Sequence, residues 1–158
     1  IANRARLLLE VLDAVCDVWG NERVGLRLSP LNSFNSMRDS DPMALTVWLA
    51  RRLNEYRLAY LHMMRSDFFG QQKGDVITAS RDNYEGILVG NMGYSATEAA
   101  QAIASQQLDA VAFGVPFLAN PDLPARFAQG ALLNQANPAT FYSPGAVGYT
   151  DYPSLSLR

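Results

Sequence analysis

The sequence predicts an α/β fold built on parallel strands, and three observations lead to that prediction. Short apolar segments alternate with amphipathic helical segments along most of the 158-residue chain. The apolar segments carry few polar residues, as expected of strands covered on both faces. Strands that alternate with helices are joined by right-handed crossovers, so they run parallel to one another.

Hydrophobic periodicity and turn residues divide the chain into nine predicted elements and an irregular tail. In order, they are a helix at 4–19, a strand at 24–28, a helix at 42–56, a strand at 58–63, a short helix at 80–84, a strand at 86–90, a helix at 96–105, a strand at 110–114 and a helix at 121–130. Residues 131–158 are rich in proline and glycine and show no period.

Capping residues support the helix boundaries. Residues whose side chains accept hydrogen bonds from free backbone N–H groups precede the four longer helices: Asn3, Asp41, Ser95 and Asn120. Gly20 follows the first helix, as a C-terminal glycine does, and Pro42 opens the second.

Two architectures fit this order of elements, a doubly wound open sheet and part of a (β/α)8 barrel. A complete barrel takes roughly 250 residues, so four strands would be half of one. An isolated half exposes edge strands and an open apolar interior, which is costly. A missing partner half or self-association is therefore expected, and the start at Ile1 inside a helical pattern is typical of a piece of a longer polypeptide.

Composition excludes several classes of function. The formal net charge is −2 with no basic stripe, which argues against nucleic-acid or anionic-membrane partners. No apolar run approaches the roughly 20 residues of a membrane span, and no signal-peptide pattern is present, so we expect a cytoplasmic protein. The single cysteine, Cys16, lies in an apolar run and is interpreted as a buried small hydrophobe. The sequence predicts no metal cluster and no nucleophilic triad.

Candidate site residues lie where the predicted strands end, since both architectures place their sites there. Arg27 interrupts an apolar strand and is either an anchor for an anionic ligand or a solvent-facing residue of an edge strand. Glycines end the last two strands, at Gly90 and Gly114. They either let a phosphate approach the backbone or are simply turn residues. His62, the only histidine, is interpreted as structural.

Several segments resemble the Old Yellow Enzyme family in wording and in order. They are Asn3–Glu10, Arg23–Pro30, Ala59–His62, Asp109–Gly114, Ala119–Leu123, Thr140–Tyr142 and Gly148–Pro153. The resemblance covers essentially the whole chain, and the bacterial N-ethylmaleimide reductase and xenobiotic reductase branch looks most similar.

The resemblance implies that residues 1–158 are the C-terminal half, strands 5–8, of a single FMN-binding (β/α)8 barrel with an irregular C-terminal tail. Such enzymes take hydride from NADPH or NADH and pass it through FMN to an activated alkene, such as an enone, maleimide or nitroalkene. The N-terminal half of the barrel is then the implied partner. No catalytic residue is assignable in this half, because the family's substrate-anchoring pair and its tyrosine proton donor precede it.

The resemblance also assigns cofactor-binding roles. Arg27 matches the arginine beside the N1 and C2-carbonyl side of the flavin, where its charge stabilises the reduced anion. Gly90 and Asn91 match the first phosphate loop. The second phosphate loop is matched by Phe113 and Gly114, followed by Val115 where the family often has an arginine. We therefore expect weaker FMN retention unless another basic side chain substitutes.

Aromatic residues complete the predicted site. By the resemblance, Phe141 and Tyr142 lie in the tail beside flavin and substrate, and Phe68 lines the substrate pocket from the loop after the second strand. From the residues alone, these aromatics could equally be core residues that pin the tail and the loop.

Overall fold

The chain alternates helices with short parallel strands, as a computed structural model that describes residues 1–155 shows. The strands are β1 (Gly25–Leu28), β2 (Tyr60–Met64), β3 (Leu88–Asn91) and β4 (Ala110–Ala112). The helices are α1 (Ala2–Trp19), α2 (Pro42–Leu53), α3 (Val76–Arg81), α4 (Ala96–Ala104), α5 (Val115–Ala119) and α6 (Leu123–Gln129).

The four strands form one parallel sheet in the order β1-β2-β3-β4. Each strand pairs with the next along the chain, and the helices α2, α3 and α4 lie in the connections. This arrangement confirms the predicted α/β fold with parallel strands, and β1 and β4 are its two edges within the described residues.

The two faces of the sheet differ in burial. One face is packed: Leu61 and Leu88 have no exposed surface and Met63 is 1% exposed. They join a core with apolar residues of α1 and α2. Because side chains alternate along a strand, residues one position away stand on the opposite face. That open face carries Arg27 and Tyr60, which are both exposed.

Two helix starts follow the predicted capping chemistry. Asp41 accepts a hydrogen bond from the backbone N–H of Ala44 at 2.9 Å and begins α2. Ser95 and Glu98 form a reciprocal capping box at the start of α4, with bonds of 3.1 and 2.8 Å. Both caps satisfy backbone N–H donors that a helix leaves free in its first turn.

Several predicted boundaries were wrong; the second helix, for example, ends at Leu53 and not at 56, and the second and third strands each begin two residues later than predicted. The first helix begins at Ala2, with no side-chain cap, so Asn3 lies inside it. The short third helix spans Val76–Arg81 and not 80–84, because the Asp75 carboxylate accepts the Thr78 N–H at 3.0 Å and starts it earlier. The fourth strand ends at Ala112, two residues before its predicted end.

The helix predicted at 121–130 is divided in two, and Asn120 is not its cap. α5 ends at Ala119 and α6 begins at Leu123. Asn120 is fully buried between them, where its amide donates to the Pro116 carbonyl at 2.8 Å and its Oδ1 accepts the Asn134 N–H at 2.7 Å. Its polar groups therefore join a helix to the tail and do not cap a helix start.

The chain divides into two compact units, Ile1–Ala112 and Phe113–Arg158. In the second unit the tail is irregular but held in place. Arg126 is 5% exposed and pairs with Asp122 at 2.7 Å, while its guanidinium also donates to the carbonyls of Leu132 and Pro153. A buried arginine with these acceptors accounts for order in a segment that has no periodicity.

Helix α1 carries apolar side chains that nothing in its unit covers. Leu7 is 71% exposed, Val11 53% and Val18 76%, and the three lie four and seven residues apart on one side of the helix. Across residues 1–155, no helix combines the length and the apolar character needed to cross a bilayer.

Candidate functional site

The open face of the sheet brings together polar residues from neighbouring strands. Strand pairing places Arg27 beside His62 and His62 beside Val89, so their side chains form one row. Asn91 lies two residues beyond Val89 on the same face and ends β3. All of these residues lie within the first unit.

His62 and Asn91 present buried polar atoms without partners. His62 Nε2 and Asn91 Oδ1 are inaccessible to solvent and bond to nothing within residues 1–155. Burial lowers the pKa of the His62 imidazole and the nearby Arg27 guanidinium lowers it further, while the Asn91 amide acts weakly in the opposite direction. The amide is near the ring, but the two side chains do not reach hydrogen-bonding geometry. These effects favour the neutral form of the His62 imidazole, whose Nε2 has no hydrogen-bond partner within residues 1–155.

Arg27 is exposed and belongs to an edge strand, and it forms no ion pair within residues 1–155. Its neighbours in the row are His62 and, beyond it, Val89. The guanidinium thus stands on the unpacked face, as the sequence-based anchor hypothesis requires. The placement also fits a solvent-facing edge residue, the other interpretation of the sequence.

A second arginine, which the sequence analysis missed, shapes the loop after β3. Arg65 donates from Nε to the Met92 carbonyl at 2.7 Å and from Nη2 to the Gly93 carbonyl at 2.6 Å. Its guanidinium also lies 3.8 Å from the ring centre of Tyr94 and 3.5 Å from the Glu98 carboxylate. Arg65 therefore fixes the segment that follows Asn91, using side-chain contacts that periodicity does not reveal.

The glycine at position 90 has a packing reason. It lies on the packed face of the sheet, and a Cβ there would stand 2.5 Å from Leu108 Cδ1 and 3.3 Å from the Tyr94 hydroxyl. Leu108 is 1% exposed and has no room to move away. Packing alone thus explains why position 90 is a glycine. The predicted reason, access of a ligand to the backbone, is not required.

The loops after β1 and β2 are joined through Asp67. This buried carboxylate accepts hydrogen bonds from Ser33 in the first loop and from backbone N–H groups of its own loop. Phe68, the predicted pocket residue, is 62% exposed beside it. Phe68 contacts Phe69 edge to face at 5.1 Å. The sequence analysis missed Asp67 because Ser33, its partner in the other loop, is 34 residues away in sequence.

In the second unit the predicted residues have these surroundings. The Phe113 ring packs against Phe127 at 5.1 Å, and Gly114 is exposed, with nothing within 4 Å of the place of a Cβ. Val115 begins α5 and is half exposed. The two tail aromatics differ, since Phe141 is half-buried and Tyr142 is 99% exposed. Within residues 1–155 no cluster of three potential metal ligands occurs.

The chain is similar in sequence to flavin-dependent reductases. One relative is the "Probable flavin mononucleotide-dependent alkene reductase" of Leishmania infantum, which is 53% identical over 155 residues and matches 98% of this chain and 42% of its own length. Another is 12-oxophytodienoate reductase 2 of Arabidopsis thaliana, 40% identical over 162 residues, with 98% of this chain and 43% of the relative covered.

Solved structures agree with the sequence matches. The old yellow enzyme from Trypanosoma cruzi superposes with a TM-score of 0.93 at 46% identity, covering 96% of this chain and 40% of the enzyme. Morphinone reductase gives 0.89 at 45% identity, covering 97% and 42%. The chain therefore spans about two fifths of the length of these relatives. Residues 1–134 match the NADH:flavin oxidoreductase / NADH oxidase family, and the chain belongs to that family.

Proposed function

We propose that this chain is part of an FMN-dependent ene-reductase, which takes reducing equivalents from NADPH or NADH and delivers them to activated alkenes such as enones, maleimides and nitroalkenes. Three findings support the proposal: the family match, the relative named as an alkene reductase, and a structure of morphinone reductase bound to tetrahydroNAD at a TM-score of 0.87. FMN, when bound, supplies the acceptance and donation of hydride.

The single observation that carries the proposal is the row of polar side chains on the open face of the sheet, which includes His62 and Asn91. In a complete barrel this face is the interior, where a polar group without a partner costs on the order of 1–3 kcal/mol, so the row is suited to a polar ligand. The exposed Arg27 guanidinium beside them adds a fixed positive charge. A polar, electron-rich heterocycle such as the flavin ring fits this set of donors and acceptors, and Arg27 would hold its pyrimidine side.

Two loops are the proposed holders of the FMN phosphate. Gly90 and Asn91 end β3, followed by the loop that Arg65 fixes. Phe113 and Gly114 follow β4, and Gly114 leads directly into a helix of five residues. In (β/α)8 barrels the phosphate is commonly held by the loops after strands 7 and 8 together with a short extra helix.

That pattern supports assigning β3 and β4 to barrel strands 7 and 8, so that the chain is the C-terminal half of one FMN-binding domain. The alternative is that the four strands come from the N-terminal half. The partner is then the remaining part of the barrel in either case, and the exposed apolar side chains of α1 give that part a surface to cover.

Phe68 in the first unit, and Phe141 and Tyr142 in the second, are the residues that we propose for the substrate pocket by the resemblance. Phe68 and Tyr142 expose 62% and 99% of their surface, so both rings have area available to an apolar substrate. Side chains of the remaining part of the barrel would supply the proton and anchor the alkene, since neither role is assignable to a residue of this chain.

The proposal is tested by complementation. The chain is co-expressed with either the N-terminal or the C-terminal portion of the Trypanosoma cruzi enzyme, and each complex is purified. We expect flavin absorbance and alkene-stimulated NADPH oxidation, with N-ethylmaleimide as the alkene, only with the N-terminal portion. Activity with the C-terminal portion alone would reverse the assignment to strands 5–8.

A matched pair of variants connects activity to the open face. Arg27→Gln should lower alkene-dependent turnover by about 10²–10³-fold, the range seen when one electrostatic donor is removed from an active site. Arg23→Gln, at an exposed arginine just before β1, should leave it unchanged. Flavin bound without any alkene-dependent turnover would favour a non-catalytic flavin- or phosphate-binding half-barrel instead.

A further inference from the structure

We propose that Asp67 is a positioning residue that ties the loops after β1 and β2 together, and that it thereby fixes an aromatic cluster that selects alkenes with a flat apolar substituent. The aromatic cluster consists of Phe34, Phe68 and Phe69. This inference rests on the proposed function, because it concerns the substrate preference of the complete reductase.

The contacts of Asp67 span both loops. Its Oδ1 accepts the Ser33 N–H at 2.8 Å, and the Ser33 hydroxyl donates to both carboxylate oxygens at 2.9 and 2.8 Å. Its Oδ2 accepts the N–H groups of Gln71 and Gln72 at 2.7 and 3.0 Å, and the Phe69 N–H lies 3.3 Å from Oδ1. One carboxylate therefore sets the backbone path of two loops that are 34 residues apart in sequence.

The charge of Asp67 is satisfied by these donors and not by a cation. The residue is 6% exposed and takes part in no ion pair within residues 1–155. Burial alone would raise the pKa of its carboxyl group, but the hydrogen bonds from Ser33, Gln72 and Phe69 hold it well below the usual range. A buried carboxylate arranged in this way stabilises one loop conformation over others.

The aromatic cluster is attached directly to the two ends of this contact. Phe34 follows Ser33, and Phe68 follows Asp67. The rings of Phe34 and Phe69 are 6.1 Å apart and nearly parallel, with 11° between their planes, and Phe68 meets Phe69 at 89°. About half or more of each ring is exposed, which leaves apolar faces available at the ends of β1 and β2.

The backbone beside Phe34 adopts an uncommon conformation. Asn35 and Ser36 have φ values of 56° and 61°, in the left-handed region that L-residues seldom adopt. Two successive non-glycine residues in this region persist only when the surroundings impose them. The Ser33–Asp67 contact lies immediately before them, and the Met37 N–H closes the turn over them by donating to the Phe34 carbonyl at 3.3 Å.

The experiment uses the complete barrel, by which we mean this chain in complex with the N-terminal portion of the Trypanosoma cruzi enzyme. The variants are Asp67→Asn, Ser33→Ala and Phe34→Leu, and Asp75→Asn is the matched control. Asp75 caps α3, and asparagine is an equally good cap. Within residues 1–155 the Asp75 carboxylate bonds to the Thr78 N–H and does not bond to Asp67 or Ser33. The substrates are N-phenylmaleimide and N-methylmaleimide, which share the reacting bond and differ in the aryl group. The readouts are kcat/KM for each and the rate of flavin reduction by NADPH.

We expect Asp67→Asn to lower the phenyl-to-methyl ratio of kcat/KM by about tenfold, the order of one lost aromatic contact. Ser33→Ala and Phe34→Leu should lower it too, and Phe34→Leu should add little to Asp67→Asn, since both act through one cluster. Flavin reduction and the Asp75→Asn control should not change. An unchanged ratio, or an equal loss for both maleimides, would overturn the proposal.

Amide hydrogen exchange separates this proposal from the proposed function. If the unaltered barrel reduces neither maleimide, the proposed function fails, and exchange at Phe69, Gln71 and Gln72 then decides whether Asp67 positions the loop. Faster exchange of these amides in Asp67→Asn than in Asp75→Asn supports the positioning role. Equal exchange in the two variants refutes it.

Discussion

Arg65 Nε donates a 2.7 Å hydrogen bond to the carbonyl oxygen of Met92, which connects the end of β2 to the loop after β3. Met92 has φ 86° and Gly93 has φ 68°, so two successive residues of this loop are left-handed. The carbonyls of both residues are turned toward the guanidinium. The loop that the resemblance assigns to phosphate binding therefore takes its shape from a side chain 27 residues earlier.

Arg65→Lys should loosen this loop while keeping its charge. Lysine cannot reproduce the planar fork that reaches two carbonyls, so we expect about 1–3 kcal/mol less stability, as for lost hydrogen bonds to a charged group. Urea unfolding measures the change. Arg23→Lys is the control, because Arg23 is exposed and, among residues 1–155, its guanidinium pairs only with its neighbour Glu22, at 3.8 Å. A loss no larger than that of the control would contradict this role for Arg65.

Gly90→Ala should destabilise the fold by about 1–3 kcal/mol, the usual cost of overpacking. The added methyl would stand 2.5 Å from Leu108 Cδ1. Gly114→Ala is the matched control for unfolding, since a methyl there meets nothing within 4 Å. The double variant Gly90→Ala/Leu108→Val should be more stable than the sum of the two single losses in unfolding free energy predicts, and a double-mutant cycle measures this difference. Equal effects of the two single alanine variants would show that the collision with Leu108 is relieved elsewhere.

Asp109 connects the start of β4 to the start of β3 and makes stability depend on pH. The pKa of the Asp109 carboxyl group is lowered from 3.8, chiefly because the Leu88 N–H donates to it at 2.7 Å. Burial raises this pKa, and the Arg81 guanidinium at 2.9 Å lowers it. A lowered folded pKa gives stability that is present above the unfolded pKa and is lost as pH falls through the folded one. We expect unfolding free energy to fall below about pH 4.

The Asp109→Asn variant isolates this contribution. It should be less stable than the parent at pH 7 and should lose less stability between pH 5 and about pH 2, because one of the titrating carboxylates is gone. The other carboxyl groups whose pKa is lowered in the folded protein, which include Asp67, remain in both proteins. The unfolding free energy of both proteins is measured against pH by circular dichroism. If it falls equally between pH 5 and about pH 2 in the two proteins, Asp109 does not contribute to the acid dependence.

The fold was predictable where local chemistry decides it. Ser95, and Asp41 with Pro42, mark helix starts that the structure reproduces. The prediction failed where a weaker local signal lost to tertiary packing. Asn120 has the residue type of a cap, yet its burial between two helices makes its side chain a link to Asn134.

The candidate site was predictable only in part, for the same physical reason. Arg27 is visible in the sequence because a charge within an apolar strand is anomalous, and the structure does place it on the unpacked face. Arg65 and Asp67 lie in a polar loop where charges are ordinary. Their partners, Met92 and Ser33, come close only when neighbouring strands pair, so nothing local marks them.

Val115→Arg should strengthen FMN binding. Val115 is the first residue of α5 and is half exposed, so an arginine fits without displacing a core residue. The resemblance places an arginine at this position, and a charge-assisted hydrogen bond to phosphate contributes about 1.5–3 kcal/mol, which is about tenfold or more in affinity. Arg65, the basic side chain that shapes the other proposed loop, is already engaged with two carbonyls and Glu98 and does not replace it.

Equilibrium dialysis of the complete barrel compares the FMN dissociation constant of Val115→Arg with that of the parent. Raising the salt concentration should narrow the difference, because a guanidinium–phosphate contact is screened. Val115→Gln serves as the control, since it adds a hydrogen-bonding side chain without the charge. Equal affinities for arginine, glutamine and valine would place the FMN phosphate away from the N-terminal end of α5 and would remove the second of the two proposed phosphate loops.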